Sequence, residues 1–159
     1  MYKTIYRICV IGPSSAGKTT WLKRWSIGKY IEVPPTEDMN IYTMSIPTNK
    51  GRIRIIMYDV SDGFGYMMCS NIDLCIVMID ISDIESVTES ILYRDMFSNR
   101  YPNIPLITIG NKIDLGISTY NMKYMCSCKT GENIDSIYKS ILDMMVGEDI
   151  EIRRSCYII

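Results

Sequence analysis

The sequence predicts an α/β protein, a three-layer sandwich around a mostly parallel six-stranded sheet with one antiparallel edge strand. Apolar runs typical of buried strands alternate with segments whose apolar residues recur at helical spacing, which favours a parallel sheet covered by helices. A turn that contains Pro47 and Gly51 joins two neighbouring strand segments and predicts the antiparallel hairpin. The 159 residues are enough for one domain with a buried core.

The first strand, Thr4 to Ile11, runs into a glycine-rich loop and a helix from Lys18 to about Ile27. The loop has the pattern Gly-x-x-x-x-Gly-Lys-Thr, which in this setting is typical of a phosphate-binding loop and predicts a P-loop NTPase fold. Its glycines let the backbone curl so that N–H groups point at phosphate, whereas the alternative is a chance Gly/Ser-rich turn. The predicted phosphate-binding residues are Gly12, Ser14, Ser15, Ala16, Gly17, Lys18, Thr19 and Thr20.

A loop from Lys29 to Asn40 precedes the predicted hairpin, whose strands are Ile41 to Ile46 and Arg52 to Tyr58. Asp59 ends the second strand, where a carboxylate can hold Mg²⁺ through water because Mg²⁺ takes few protein ligands. An ordinary strand-end turn is the alternative. Thr36 in the loop could give Mg²⁺ a second hydroxyl when a γ-phosphate is present. The predicted metal residues are therefore Thr19, Thr36 and Asp59.

The second half of the chain contains three further strand segments and two helices. The strand segments are Leu74 to Asp80, Leu106 to Ile109 and Tyr124 to Ser127. Ser82 and Glu85 have capping-box spacing and start a helix. The predicted buried face of that helix consists of Ile84, Val87, Ile91 and Leu92. The last helix starts near Glu132, and its predicted core stripe is Ile134, Ile137, Tyr138, Ile141, Leu142 and Met145.

The connection between the last two strands is short. Leu115 to Lys123 comprises nine residues, where a parallel crossover usually needs about a dozen or more. We therefore expect the helix between these strands to be missing or reduced to a turn.

The segment Asn111-Lys112-Ile113-Asp114 follows a strand end. The Asp114 carboxylate can accept hydrogen bonds from N1–H and N2–H₂ of guanine, a pair of donors that adenine lacks, and so can select guanine. Asn111 can tie neighbouring loops together and bond the base, and the aliphatic part of Lys112 can cover the base. Because ligands of such sheets bind outside the carboxyl ends of the strands, one site can use this segment together with the phosphate loop.

Composition excludes several classes of function. A net charge of −1 and a pI near 5.5 give no electrostatic basis for nucleic-acid binding. The chain has no His, which excludes Ser-His and Cys-His nucleophiles. The six Cys are expected to be reduced thiols of a cytoplasmic protein, and Cys126 and Cys128 alone are a poor metal site. No apolar run is long enough to span a membrane.

Together these motifs resemble those of the Ras-superfamily small GTPases, over about residues 6–145, and most resemble the Ran and Rab branches. The matching residues are Gly12 to Thr19, Pro35, Thr36, Asp59, Asn111 to Asp114, and Ser127 to Lys129. The resemblance implies binding of GTP or GDP with Mg²⁺, and contact of exchange factors, activating proteins and effectors with the nucleotide loops. It also implies that Ser127, Cys128 and Lys129 contact guanine from the side, with the backbone N–H of Cys128 near O6.

The second switch departs from the family pattern Asp-x-x-Gly-Gln. Asp62 stands in place of the Gly, and Gly63 could substitute for that Gly after a local shift. The Gln that orients the attacking water in the family is absent. Ser14 also occupies a position that many fast hydrolysers keep as Gly. The predicted catalytic residues are Lys18, Thr36 and Gly63, and we expect slow hydrolysis.

Two further departures concern the surroundings of the nucleotide. Gly65 to Asn71 leaves little room for the usual helix of the second switch. No aromatic residue stands where the family stacks one on guanine, since Lys29 is there with Tyr30 beside it. Base affinity is therefore expected to be reduced.

The predicted domain covers residues 1–147, and residues 148–159 form a tail. The tail ends in Cys156-Tyr157-Ile158-Ile159, which has the pattern of a prenylation box and predicts a lipid on Cys156 and contact with membranes. One lipid chain is a marginal anchor, and Arg153 with Arg154 is a weak second signal. A chance terminal Cys is the alternative.

Three functions stay open on the sequence. The first is a GTP-hydrolysing switch whose effectors contact Glu32 to Asn40 and Asp59 to Asn71. The second is a binding module that does not hydrolyse GTP and sequesters or mimics partners of a cellular small GTPase. The third is a P-loop nucleotide kinase, against which the segment Asn111 to Asp114 and the lack of an Arg-rich lid argue.

Overall fold

A computed structural model describes residues 3–34, 36, 38–61, 65–116, 122–147 and 151–152. Six strands form one sheet in the order β2-β3-β1-β4-β5-β6, in which the edge pair β2 and β3 is antiparallel and the other four strand pairs are parallel. The predicted α/β fold is therefore confirmed. The strands are β1 (Ile5–Ile11), β2 (Met39–Thr48), β3 (Gly51–Val60), β4 (Leu74–Asp80), β5 (Leu106–Asn111) and β6 (Tyr124–Met125).

Helices cover both faces of the sheet. They are α1 (Lys18–Ile27), α2 (Ile84–Arg100) and α3 (Ile134–Val146). Two short segments are single 3₁₀ turns, Gly65–Met68 after β3 and Ile113–Leu115 after β5. Within the described part of the β5–β6 connection, which omits residues 117–121, that second turn is the only helical element, as the short crossover predicts. In the described ranges, no helix is long and apolar enough to cross a membrane.

The hairpin is longer than predicted. Pairing runs from Met39 opposite Val60 to Thr48 opposite Gly51, so that Asp59 is the next-to-last residue of β3, one position from the predicted strand end. Pro47 is part of β2 because an edge strand tolerates a residue without an N–H. The Thr48 hydroxyl donates to the carbonyl of Gly51 at 2.6 Å and so closes a turn of only two residues.

Two apolar clusters fill the space between the sheet and its helices. Alternation along β1 directs Ile8 and Val10 into the cluster shared with α1 and α3, and Cys9 and Ile11 into the other. The predicted stripe on α3 is confirmed, since all of its residues up to Leu142 are buried and Met145 packs against the same cluster. Aromatic rings of Trp21, Trp25 and Tyr138 join α1 to α3.

The predicted buried face of α2 is wrong. Ile84, Ile91 and Leu92 are 53%, 51% and 63% exposed, and only Val87 of the predicted set is buried. The face that packs on the sheet carries Ser86, Val87, Ser90 and Phe97. Both serine hydroxyls are satisfied by the backbone: that of Ser86 accepts from the N–H of Asp80, and that of Ser90 donates to the carbonyl of Val87.

The predicted capping box of α2 is also wrong. The N-cap is Asp83, whose carboxylate accepts from the N–H of Glu85 at 3.0 Å. The Ser82 hydroxyl instead donates to the Asp80 carboxylate at 2.6 Å. A carboxylate one residue later competes successfully for the role of cap, because Asp and Ser are comparably good N-caps.

We expect Phe97→Ala to lower the free energy of unfolding by about 3–5 kcal/mol, because the ring is fully buried and its removal leaves a cavity. Leu92→Ala on the same helix should change it by less than about 0.5 kcal/mol, because Leu92 is mostly exposed. Urea denaturation of both variants measures this difference. A larger loss of stability in Leu92→Ala than in Phe97→Ala would contradict this packing and support the apolar face predicted from the sequence.

Candidate functional site

A cleft of about 510 Å³ opens at the carboxyl ends of the parallel strands, between the phosphate loop and the loops after β5 and β6. Most residues predicted for the site line it. They are Ser14, Ser15, Gly17, Lys18, Thr19, Thr20, Thr36, Asn111, Lys112, Asp114, Cys128 and Lys129. Gly12, Ala16, Asp59 and Ser127 are buried within the elements that carry the lining residues. The predicted Gly63, Pro35 and Cys156 lie outside the described residues.

The loop after β1 takes a backbone path that requires its two glycines. Gly12 has φ +138°, and a Cβ there would lie 2.1 Å from the carbonyl oxygen of Met78. Gly17 has φ +92°, and a Cβ there would lie 2.3 Å from Nδ2 of Asn111. Gly17 is also the N-cap of α1 and gives it no side-chain cap, so the first N–H groups of the helix are left for a ligand.

The Lys18 ammonium is held inside this loop. Its Nζ donates to the carbonyls of Gly12 and Pro13 at 2.9 and 3.0 Å, and the residue is only 7% exposed. Burial lowers the pKa of Lys18, and the negative charge of Asp59 opposes that shift. A phosphate in the loop would add negative charge next to the ammonium and stabilise its charged form.

Three oxygen-bearing side chains converge beside Lys18. The Thr19 hydroxyl lies 2.7 Å from the Thr36 hydroxyl and donates to Oδ2 of Asp59 at 2.5 Å. Asp59 is fully buried, and its Oδ1 has no hydrogen-bond partner among the described residues. Burial raises the pKa of Asp59, while the hydrogen bond from Thr19 and the charge of Lys18 lower it. Hydroxyl and carboxylate oxygens with a free lone-pair position fit the needs of Mg²⁺.

Asn111 joins the two ends of the cleft. Its Nδ2 donates to the carbonyl of Ala16 in the phosphate loop at 3.0 Å, and its Oδ1 accepts from the N–H of Cys128 at 3.0 Å. The predicted tie between loops is therefore present. The N–H of Cys128, which the resemblance assigns to guanine O6, donates to Oδ1 of Asn111 in this structure.

The Asp114 carboxylate faces the other end of the cleft. Oδ1 accepts from the Ser127 hydroxyl at 2.5 Å, and the Ser127 oxygen in turn accepts from the N–H of Thr130 at 3.1 Å. Ser127 is fully buried, so this chain fixes the orientation of the carboxylate. Among the described residues, no side chain donates a hydrogen bond to Oδ2 of Asp114, so this oxygen can accept one from a base.

Three residues around the base end were not assigned to the site from the sequence, although Tyr30 was noted beside Lys29. Tyr30, and not Lys29, lines the cleft. The Asp80 carboxylate forms an ion pair with Lys112 at 2.6 Å. Arg24 of α1 donates to the carbonyl of Cys128 at 2.8 Å, and its guanidinium occupies the space that a Cβ of Gly131 would fill. Asp80 shares its position at a strand end with Asp59, which is the one signal that could have identified it.

The chain matches the model of the ADP-ribosylation factor family over residues 1–150. It is 25% identical to ADP-ribosylation factor-like protein 8b of Arabidopsis thaliana in an alignment that covers 86% of this chain and 85% of that protein. It is 29% identical to an ADP-ribosylation factor-like protein of Dictyostelium discoideum, covering 89% and 83%. It is 27% identical to Ras-related protein Rab-7B of Dictyostelium discoideum, covering 70% and 60%.

The sheet order, the glycine-rich loop between β1 and α1, and these matches define a small GTPase of the Ras superfamily. Within the superfamily, the chain belongs to the ADP-ribosylation factor (Arf) family. The prediction of the Ran and Rab branches was wrong, because it rested on short nucleotide-binding segments whose chemistry the branches share.

Proposed function

We propose that this protein binds GTP and GDP with Mg²⁺ and acts as a molecular switch that hydrolyses GTP slowly. The observation that carries the proposal is the single cleft that has Lys18 and the curled phosphate loop at one end and Asp114 at the other. That arrangement matches a nucleotide with a guanine base and a chain of phosphates. The Arf-family match supports a GTP-binding switch in general terms.

The proposed roles follow the contacts. Gly12, Gly17 and the first turn of α1 would hold the phosphates through backbone N–H groups, and Lys18 would neutralise them. Thr19, Thr36 and Asp59 would hold Mg²⁺, which when bound supplies positive charge against the phosphate oxygens. Asn111, Lys112 and Asp114 would hold the base, with Ser127, Cys128 and Lys129 beside it.

Slow hydrolysis is proposed from the altered second switch. No Gln is available to orient the attacking water, and Asp62 adds a negative charge where the family has Gly. Lys18 and Thr36 remain to stabilise charge and position the nucleotide, with Gly63 proposed to take the place of the missing Gly. The site would therefore keep residues that stabilise charge on the phosphates but lack a residue that positions the attacking water.

Single-turnover hydrolysis of GTP by the native protein should be slow, and the double variant Asp62→Gly/Gly63→Gln should be roughly 10-fold faster or more, because it restores a residue that can orient water. Phosphate release from protein preloaded with GTP and Mg²⁺ measures both rates. Asp62→Gly alone serves as the matched control that separates removal of charge from positioning of water. Native turnover as fast as that of ordinary small GTPases would contradict the proposal.

A second candidate is a non-hydrolysing module that binds GTP and sequesters or mimics partners of a cellular small GTPase. The missing Gln and the single 3₁₀ turn of Gly65–Met68 favour it. If GTP binds but is not hydrolysed, even by the double variant, the result would favour this candidate over the switch.

Partners are proposed to be effectors, exchange factors and activating proteins that contact the loops around the cleft, from Glu32 to Asn40 and from Asp59 to Asn71. We further propose a cytoplasmic location.

A further inference from the structure

The Asp80 carboxylate lies at the carboxyl end of β4 and has a separate partner for each oxygen. Oδ2 accepts from Nζ of Lys112 at 2.6 Å. Oδ1 accepts from the N–H and the hydroxyl of Ser82 at 3.0 and 2.6 Å. The side chains of Asp80 and Lys112 are only 14% and 29% exposed, so water competes weakly for this pair.

Lys112 needs such a partner to stay in the cleft. It has φ +70°, a backbone conformation uncommon for residues with a Cβ, and it directly precedes the 3₁₀ turn that carries Asp114. Its side chain lines the base end of the cleft. A long ammonium side chain loses rotamer entropy when it is fixed in one position, and its head group prefers bulk water unless it is paired.

We propose that Asp80 is a positioning residue for guanine binding, which holds the Lys112 side chain along the base end of the cleft. This inference rests on the proposed binding of a guanine nucleotide. Asp80 would not touch the nucleotide itself; it would act through Lys112, whose aliphatic part covers one face of the base. Loss of the ion pair would let Lys112 leave the base end of the cleft and would speed release of the nucleotide.

Electrostatics agree with this geometry. Burial by itself would raise the pKa of Asp80, but the hydrogen bonds from Lys112 and Ser82 and the charge of Lys112 outweigh it and lower that pKa. Asp80 is therefore ionised at neutral pH and offers Lys112 a full negative charge. Because each Asp80 oxygen has its own partner, the contact of Oδ2 with Lys112 can be tested separately from the contacts of Oδ1 with Ser82 before α2.

The test uses Asp80→Asn in the full-length protein. Asn keeps an oxygen for Ser82 but places an amide NH₂ against the Lys112 ammonium, so the attraction is lost. We expect fluorescently labelled GDP to dissociate about 10-fold faster from this variant, as loss of one charge-assisted hydrogen bond predicts. Ser82→Ala, which removes one bond on the other oxygen, should leave the dissociation rate within about twofold of native.

A double-mutant cycle distinguishes positioning from general stability. If Asp80 acts through Lys112, Asp80→Asn should have no further effect on the dissociation rate in a Lys112→Met background. An equal effect in both backgrounds would overturn the inference and assign Asp80 a structural role only. A native rate in Asp80→Asn would also overturn it. Failure of the native protein to bind GDP at all would instead refute the proposed function, so the two failures are distinguishable.

Discussion

Replacing Lys18 with Met is expected to weaken binding of both GDP and GTP by roughly 100-fold or more. The ammonium is buried in the phosphate loop, and among the described residues its hydrogen-bond partners are the backbone carbonyls of that loop, so its charge is available to phosphate oxygens. Two lost hydrogen bonds between charged groups, at about 1.5–3 kcal/mol each, account for an effect of this size. Isothermal titration with GDP and Mg²⁺ measures it.

Thermal unfolding gives an independent measurement of the Lys18 effect. GDP at 100 times its Kd should stabilise the native protein by about 2.7 kcal/mol and raise its Tm by roughly 5–10 °C. Lys18→Met should unfold cooperatively but show no such rise at the same GDP concentration. Lys23→Met is the matched control, because Lys23 lies on the same helix but outside the cleft. An unchanged GDP-dependent rise in Lys18→Met would contradict the assigned phosphate site.

The parts of the site that were predicted from the sequence each lie within one short segment of the chain. The phosphate loop and the segment Asn111 to Asp114 each carry their chemistry within eight residues or fewer, and each follows a strand that an apolar run identifies. Parallel topology then brings strand ends to one edge of the sheet. The bounds of α1 and β4 were predicted correctly for the same reason, since a glycine loop or a polar residue marks each end.

The parts that the sequence did not predict depend on contacts between distant residues. Asp80 and Lys112 are 32 residues apart, and Arg24 and Cys128 are 104 residues apart. No local pattern pairs such residues, because their proximity follows from strand order. The prediction of the buried face of α2 was wrong for a related reason. Periodicity selects the largest apolar residues, whereas Ser86 and Ser90 become compatible with burial only once backbone groups satisfy their hydroxyls.

The second of the two largest effects is expected from Asp114→Asn, which should weaken GDP binding by about 100-fold or more. Guanine presents two donors, N1–H and N2–H₂, to this side chain. Asn offers one acceptor and one donor, so one of the base donors would face another donor. The Ser127 hydroxyl donates to Oδ1, so the Asn oxygen is expected to stay there and its NH₂ to face the base.

The same variant should gain affinity for xanthosine diphosphate. Xanthine has a carbonyl at the position of the guanine amino group, and this carbonyl can accept from the Asn NH₂ while N1–H still donates to the Asn oxygen. Competition of both diphosphates against fluorescent GDP, in native protein and Asp114→Asn, measures the inversion of preference. Asp135→Asn on the exposed side of α3 controls for loss of one negative charge and should leave the preference unchanged.

If Asp114→Asn weakens binding of both diphosphates equally while the fold stays intact, Asp114 stabilises the loop but does not form hydrogen bonds with the base. Its bond to Ser127 would then be the whole of its role, since that bond ties the turn after β5 to the loop after β6. An inverted preference requires instead that the carboxylate faces the base edge directly. The sign of the xanthosine diphosphate effect therefore decides between recognition of guanine by Asp114 and a purely structural contact.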